Sequence, residues 1–350
     1  MLKHILVLII LSLLLISCGD KKDDPIKNLS DKEKYSYDST DLKTEGTDNS
    51  GKPFLMEYKF KKDDKFSYRL TTISRNSQSI TIDSTISQGV DQKIIYLFDL
   101  YVKDIDEEGI TEAEIKINSL KLDASANGQK FEFVAGKDND TVKIQQFAEF
   151  YSLYNNPFSI RFNKKGEVLE VYKADKISNK FIEIRGAADS ISAVDRNNVK
   201  QELINGVLMP FVTQVIRKVS DQEVYKDSVW QFQQDPVQLM AYNINYVNVY
   251  KLESVEKLND NRIAVVDAAI NFSYSGQSKV NKGNVLYTFQ KPKSSAEGRF
   301  YFDVDRGLQV KSRTKTSLEI SYTMEANTPQ GKQKGVRTDI ISNTNIIELL

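Results

Sequence analysis

Most of this sequence alternates apolar and polar residues with a period of two, which is the pattern of a half-buried β-strand. Met56, Tyr58 and Phe60 alternate with their neighbours in this way, and residues 96–100 do so again. Short clusters of Asp, Asn, Lys and Gly separate the alternating segments and are typical of hairpin turns. The sequence therefore predicts a mostly β, α+β fold of antiparallel strands.

Two regions replace this alternation with apolar residues three or four positions apart, the spacing of a helix face. A short helix is predicted around residues 144–154, and a longer helical segment over 174–223. Within the longer segment, Gly206 and Pro210 should kink or divide the helix, because proline lacks a backbone donor and clashes with the preceding turn. The helical segment thus separates two β regions.

The two β regions show the same kinds of turn in the same order. Each starts at a turn that contains lysine and an acid, continues to a polar turn after a long strand, and reaches a glycine hairpin after a phenylalanine. The matching pairs are 62–66 with 225–230, 106–109 with 259–261, and 163–166 with 303–307.

We interpret these regions as two related antiparallel β units, residues 52–173 and 224–350, with the helical segment 174–223 inserted between them. Each unit is expected to form a curved sheet or half-barrel. The alternative is that similar turn chemistry recurs by chance in a β-rich chain.

The N-terminus has the layout of a secretory signal. Lys3 precedes an apolar run over residues 5–16, and this run is shorter than the roughly 20 residues that a membrane-spanning helix needs. The run ends in Leu-Ile-Ser-Cys-Gly at residues 15–19, which resembles the lipobox of bacterial lipoproteins. The resemblance implies a signal peptide over 1–17 and a mature chain that starts with lipidated Cys18, anchored by palmitate or a similar acyl chain.

Residues 18–51 are rich in Lys, Asp, Ser and Thr, and this composition favours a lipidated flexible tether. Cys18 is followed by Gly19, as in lipoproteins that are sorted to the outer membrane. The charged cluster 21–24 resembles the export signal of Bacteroidetes surface lipoproteins. These resemblances imply an outer-membrane, lipid-anchored protein on the cell surface, with a periplasm-facing domain as the alternative.

The charge balance and the scarcity of histidine and cysteine restrict the chemistry. The chain has 48 basic and 48 acidic residues, which gives no net attraction to nucleic acid. Its one histidine is His4 and its one cysteine is Cys18, so the mature chain would have neither imidazole nor free thiol. These groups supply most general bases near neutral pH and the ligands of zinc, copper and haem. The composition favours a protein that is not an enzyme and has no metal site and no cofactor.

Carboxylates and aromatic rings remain as candidates for a site. Asp138 and Asp140 offer oxygen ligands to calcium, although a polar loop before a helix is the simpler interpretation. Asp303 and Asp305 flank a tight turn, where aspartate typically accepts hydrogen bonds from its own backbone. Trp230 could stack on a sugar, but aromatic residues that alternate along strands usually belong to a core. A glycosidase would need two facing carboxylates, about 5 to 10 Å apart.

Three features resemble an uncharacterised family of Bacteroidetes lipoproteins that carries a domain of unknown function. They are the lysine-plus-acid turn and the strand that it opens at 61–72, the acidic turn at 106–109 and the Gly-Glu-Val-Leu hairpin at 166–169. That resemblance implies no reaction and no catalytic residue. Curved sheets beside helices are also similar to periplasmic lipoprotein carriers, which enclose an acyl chain.

The leading hypothesis is a non-enzymatic binding or structural lipoprotein that holds an amphiphilic ligand in a cavity. Its partners would be the membrane, through Cys18, and a lipid ligand, a glycan ligand or an outer-membrane protein. The alternative is a carboxylate-dependent glycan hydrolase or glycan-binding lipoprotein. An enclosed apolar cavity would favour the first hypothesis, and an open cleft with facing acids would favour the second.

Overall fold

The computed structural model describes residues 25–47, 51–239, 241–328 and 331–350. The proposed signal peptide 1–17 and Cys18 lie outside the described residues. Within these ranges the fold is mostly β, and the sixteen strands belong to one large antiparallel sheet that is not closed. No helix in the described ranges combines the length and the apolar character needed to cross a membrane.

The strands of the described residues are β1 Gly46–Thr47, β2 Lys65–Thr81, β3 Thr85–Ile105, β4 Thr111–Ala126, β5 Gln129–Val134, β6 Phe158–Phe162, β7 Val168–Tyr172, β8 Val229–Gln233, β9 Val237–Leu239, β10 Tyr242–Leu258, β11 Asn261–Gly276, β12 Lys279–Lys282, β13 Val285–Phe289, β14 Lys293–Asp303, β15 Leu308–Thr328 and β16 Gly331–Leu349. The helices are α1 Pro25–Asn28, α2 Asp31–Lys34, α3 Thr141–Gln146, α4 Ala148–Leu153, α5 Asp175–Ile184, α6 Ala193–Leu203, a π-helical turn Ile204–Leu208 and α7 Met209–Val215.

The sheet has the strand order β1-β10-β11-β14-β15-β16-β2-β3-β4-β6-β7. Strands of the first predicted unit follow one another as β2-β3-β4-β6-β7, and those of the second as β8-β10-β11-β14-β15. A bulge beside Phe162 interrupts the β6–β7 pairing, and one beside Phe302 interrupts the β14–β15 pairing. The two units therefore share one strand order, and they are halves of a single sheet joined through β16.

The first turns of the two halves, at 62–66 and 225–230, also form the same backbone hydrogen bond. The N–H of Asp63 donates to the carbonyl oxygen of Val102 at 3.0 Å, and that of Asp227 donates to Leu252 at 2.8 Å. Both aspartates have a left-handed backbone, with φ of 69° and 68°. The Gly166 and Gly307 hairpins likewise occupy the same place, between the last two strands of each series.

The long helical segment is divided where the sequence predicts. A π-helical turn separates α6 from α7, and within it the N–H of Met209 donates to the carbonyl oxygen of Ile204, five residues earlier. Pro210 lies in the first turn of α7, where a missing backbone donor costs least. The prediction that Gly206 and Pro210 divide this helix is confirmed.

Helix α7 packs on one face of the sheet, which we call the inner face. The ring of Phe211 lies 5.5 Å from that of Tyr96, 4.9 Å from that of Phe98 and 6.5 Å from that of Phe158. These rings belong to the main core, which includes residues of both halves and of the helices. One hydrophobic core thus holds the two β units together.

The segment before β2 joins the two glycine hairpins. The N–H of Tyr58 donates to the carbonyl oxygen of Lys164 at 2.8 Å, and the next N–H, that of Lys59, donates to Gly307 at 3.1 Å. Because these hairpins belong to different halves, the sheet must curve to bring both to one segment.

Residues 25–47 differ from a free tether. They cross the outer face of the sheet, as shown by contacts from Asp31 to Lys137, Tyr35 to Ser119, Glu33 to Arg69, Asp38 to Lys311, Asp41 to Arg299 and Glu45 to Lys257. The composition suggested flexibility because large apolar residues are few, but polar contacts to strands distant in sequence hold the segment.

The ion pair between Asp38 and Lys311 fastens this segment in a pH-dependent way. A hydrogen bond from Lys311 and others from Thr40 hold the pKa of the Asp38 carboxyl well below its usual 3.8. Since the folded pKa is lowered, the pair stabilises the docked segment above pH 3.8, and this contribution is lost as the pH falls through the lowered value.

Candidate functional site

A cavity of about 830 Å³ lies between the inner face of the sheet and the divided helix. Its walls include residues of β2, β3 and β4 in the first half and of β8, β10, β11, β14 and β15 in the second. Strands far apart in the sheet order thus border the same space. The volume falls within the roughly 300 to 1,000 Å³ typical of small-molecule sites.

A row of small or short polar residues creates this space. In this row each residue pairs with the next on the neighbouring strand: Ala268, Gly298, Thr314, Asn345 and Thr72. The next row of the inner face lies two residues along each strand, toward the glycine hairpins. It carries large buried side chains, including Val266, Phe300, Ile347 and Leu70. The step from large to small side chains leaves room that the helices do not fill.

The helical wall is formed by the π-helical turn and the start of α7. Gly206, Val207 and Leu208 border the cavity from the turn, and Met209 and Phe211 border it from α7. A π-helical turn widens the helix locally and is frequent at functional sites. The sequence features that divide the helix therefore also shape the cavity wall.

Aromatic rings of the second half form another part of the wall. Phe232, Tyr246 and Tyr250 border the cavity, and Tyr250 is buried. Trp230 stacks on Tyr250, with ring centroids 5.7 Å apart, and packs against the main core. Its position agrees with the interpretation of the aromatic residues as core.

Charged side chains border the cavity just beyond the end of α7. The Nε of Arg217 donates to the Oε1 of Gln309 at 3.4 Å, and its Nη2 lies 3.5 Å from the Oε1 of Gln214. The Nζ of Lys218 lies 3.4 Å from a carboxylate oxygen of Glu167. This end of the cavity is therefore polar and carries positive charge.

The acids singled out in the sequence serve local structure. Asp140 caps α3 by accepting from the N–H of Val142 at 2.9 Å, and Asp138 accepts from the N–H of Val134 at 2.6 Å. Within the described parts of the chain, no group of three or more His, Cys, Asp or Glu side chains is arranged to hold a metal ion.

The two aspartates at the second glycine hairpin also have structural roles. Asp303 accepts from the N–H of Asp305 at 3.1 Å and from that of Arg306 at 2.8 Å. Partial burial alone would raise the pKa of Asp305, but hydrogen bonds from the side chain and backbone of Arg262 outweigh it and lower that pKa. A lowered pKa keeps the carboxyl ionised and suits an ion pair better than a proton donor at neutral pH.

The cavity residues are not recognisable in the sequence. Thr72, Ala268 and Asn345 are ordinary strand residues when read along the chain, and only the pairing of strands distant in sequence places them in one row. The one local signal was the Gly206 and Pro210 break, which lies on the cavity wall.

The structure is distantly similar to solved structures. No curated protein matches the chain. A structure of lipovitellin that describes its lipid–protein interactions aligns with a TM-score of 0.42 and 9% identity over 83% of this chain. The chain spans only 25% of the length of that protein. The Pseudomonas aeruginosa protein OccK2 (OpdF), solved with glucuronate, aligns with a TM-score of 0.18 and 8% identity, covering 87% of this chain and 100% of that one.

The sequence itself matches a family model. That model, a family of unknown function (DUF6263), covers residues 108–309. The matched range runs from the turn before β4 through the helical segment to the start of β15. Because it spans more than half of the chain, the protein belongs to this family of unknown function.

Proposed function

We propose that this protein is a membrane-anchored, non-enzymatic binding protein that holds an amphiphilic ligand in the cavity between the sheet and the divided helix. The observation that carries the proposal is the cavity itself, which is large enough for a small ligand and bordered by many apolar side chains. Burial of an acyl chain in such a space gains about 0.8 kcal/mol for each methylene group.

The composition of the walls suits a ligand with an apolar and a polar part. Leu208, Met209 and Phe211 offer apolar contacts, while Arg217 and Lys218 offer positive charge just beyond α7. An apolar chain could lie among the former and a polar head beside the latter.

The anchor would hold the domain close to the membrane. Lipidated Cys18 is proposed to fix the chain to the outer membrane, with the domain at the cell surface. Ile26 is already buried in the domain. The residues from 18 to 25 can span roughly 25 Å when fully extended, so the domain would stay near the lipid surface. That closeness favours a ligand drawn from the membrane.

Mass spectrometry of the native protein tests this function. The mature, full-length protein is extracted from its own membranes in mild detergent, and whatever is bound is released by organic solvent and identified. We expect an amphiphile with an apolar chain, at about one molecule for each protein. An oligosaccharide as the bound molecule would contradict the proposal and favour the glycan-binding alternative.

A further inference from the structure

We propose that the cavity selects an anionic amphiphile, and that Arg217 binds the negatively charged head group. This inference rests on the proposed function and adds the chemistry of the polar end of the ligand. The observations behind it are the position of the Arg217 guanidinium and the groups that this guanidinium contacts.

Arg217 is held firmly at the border of the cavity. Its backbone N–H donates to the hydroxyl of Tyr58 at 2.9 Å, and that hydroxyl donates to the carbonyl oxygen of Arg217 at 3.1 Å. Tyr58 is a buried residue of the segment that joins the two glycine hairpins. The backbone of Arg217 therefore has a fixed place where the two halves of the sheet meet.

Neutral groups surround the side chain of Arg217. Among the described residues, its two side-chain hydrogen bonds go to the amide oxygens of Gln309 and Gln214. Its guanidinium carbon lies 5.6 Å from the centre of the Phe300 ring. A guanidinium has five N–H donors and remains charged at any relevant pH, so these contacts leave donors available and the charge uncompensated.

The Gln309 amide is oriented so that it supports the cation. Gln309 is buried, and its Nε2 donates to the carbonyl oxygen of Gln214 at 3.1 Å and lies 3.4 Å from the Oγ of Ser312. These two acceptors fix the amide nitrogen, so that the amide oxygen faces Arg217. A charge that is partly removed from water is unfavourable without a countercharge, so a bound anion would compensate Arg217.

Among the described residues, none of the acids that border the cavity forms an ion pair with Arg217. Glu167 is paired with Lys218, whose Nζ also lies 4.7 Å from the centre of the Phe232 ring. Glu149 and Glu297 border the cavity from α4 and β14. Arg217 is thus the cation at this site whose side-chain contacts in the described residues are all neutral.

The shape of the guanidinium indicates which anions fit. Its planar donors match the two oxygens of a carboxylate or a phosphate, and such charge-assisted hydrogen bonds are about twice as strong as neutral ones. The small residues of the row that borders the cavity, such as Ala268 and Thr314, would then receive the start of the apolar chain. The predicted ligand class is a carboxylate-headed or phosphate-headed amphiphile.

The test compares ligands that differ only in the head group. Calorimetric titrations of the mature protein use oleate, oleyl alcohol and oleyl phosphate, which share one chain, and inorganic phosphate, which has none. Four proteins are compared: the wild type, Arg217→Gln, Arg217→Lys and Arg185→Gln. Arg185 is the matched control because it also lies over a phenylalanine ring, that of Phe181 at 5.4 Å, and does not border the cavity.

We expect the wild type to bind oleate or oleyl phosphate at least tenfold more tightly than oleyl alcohol. Arg217→Gln should weaken binding of the anionic ligand by roughly tenfold to a hundredfold and leave oleyl alcohol unchanged. Arg217→Lys should retain part of the preference, and Arg185→Gln should match the wild type. As a control, thermal unfolding of each variant is measured, and each variant should show a cooperative unfolding transition.

Equal binding of all three oleyl ligands by the wild type would overturn the inference, as would equal weakening of all three by Arg217→Gln. Inorganic phosphate that competes with oleate at similar concentration would also overturn it, because the site would then need no chain. If no oleyl ligand binds, the proposed function itself fails, which is a distinguishable result.

Discussion

At the scale of single residues, two turn glycines that look alike in the sequence have very different surroundings. Gly128 and Gly166 both have positive φ, of 86° and 75°. A Cβ at Gly128 would meet nothing within 4 Å, whereas one at Gly166 would clash with the carbonyl oxygen of Arg217. Gly166 is therefore required by its surroundings as well as by its backbone.

This pair gives a prediction about stability. Gly128→Ala should lower the free energy of unfolding by about 1 to 2 kcal/mol, the cost of a left-handed backbone. Gly166→Ala should lower the free energy of unfolding by about 2 kcal/mol or more beyond that loss, because a close contact with backbone must be relieved. Urea unfolding of the two variants measures the difference. Equal losses of stability would contradict the close approach of the Gly166 hairpin to Arg217.

At the scale of the elements, turn chemistry allowed the two β units to be predicted, because a turn depends on a few adjacent residues. The left-handed aspartates at 63 and 227 are an example. The joining of both units into one sheet could not be predicted, since it depends on the pairing of β16 with β2, whose residues are some 270 positions apart, as with Asn345 and Thr72. The cavity follows from that same pairing and stayed hidden for the same reason.

The N-terminal segment is the element that links the domain to the proposed anchor. Replacement of Cys18 by alanine should release the protein from the membrane fraction, because it removes the site of acylation. Fractionation of cells that express Cys18→Ala or wild-type protein measures this. A variant in which Asp83, at the exposed β2–β3 turn, is replaced by asparagine serves as a control and should stay with the membrane. Continued membrane association of Cys18→Ala would contradict the anchor assignment.

At the scale of the whole molecule, a divided helix packs on one face of a curved sheet made of two similar halves, and the cavity lies between them. Both halves contribute to the cavity walls, so a ligand would contact the two units together. Residues 25–47 cross the outer face of the sheet, opposite the face that borders the cavity.

The central claim is that the cavity holds the apolar chain of a ligand, and cavity-filling variants test it most directly. Ala296 and Thr316 pair on neighbouring strands and both border the cavity, so Ala296→Leu with Thr316→Leu would fill part of it. Ser295→Leu, on the opposite face of β14, is the matched control. The measurement is calorimetric titration with oleate. We predict one oleate bound by the wild type and by Ser295→Leu, and binding at least tenfold weaker in the double variant; unchanged affinity in the double variant would contradict the account.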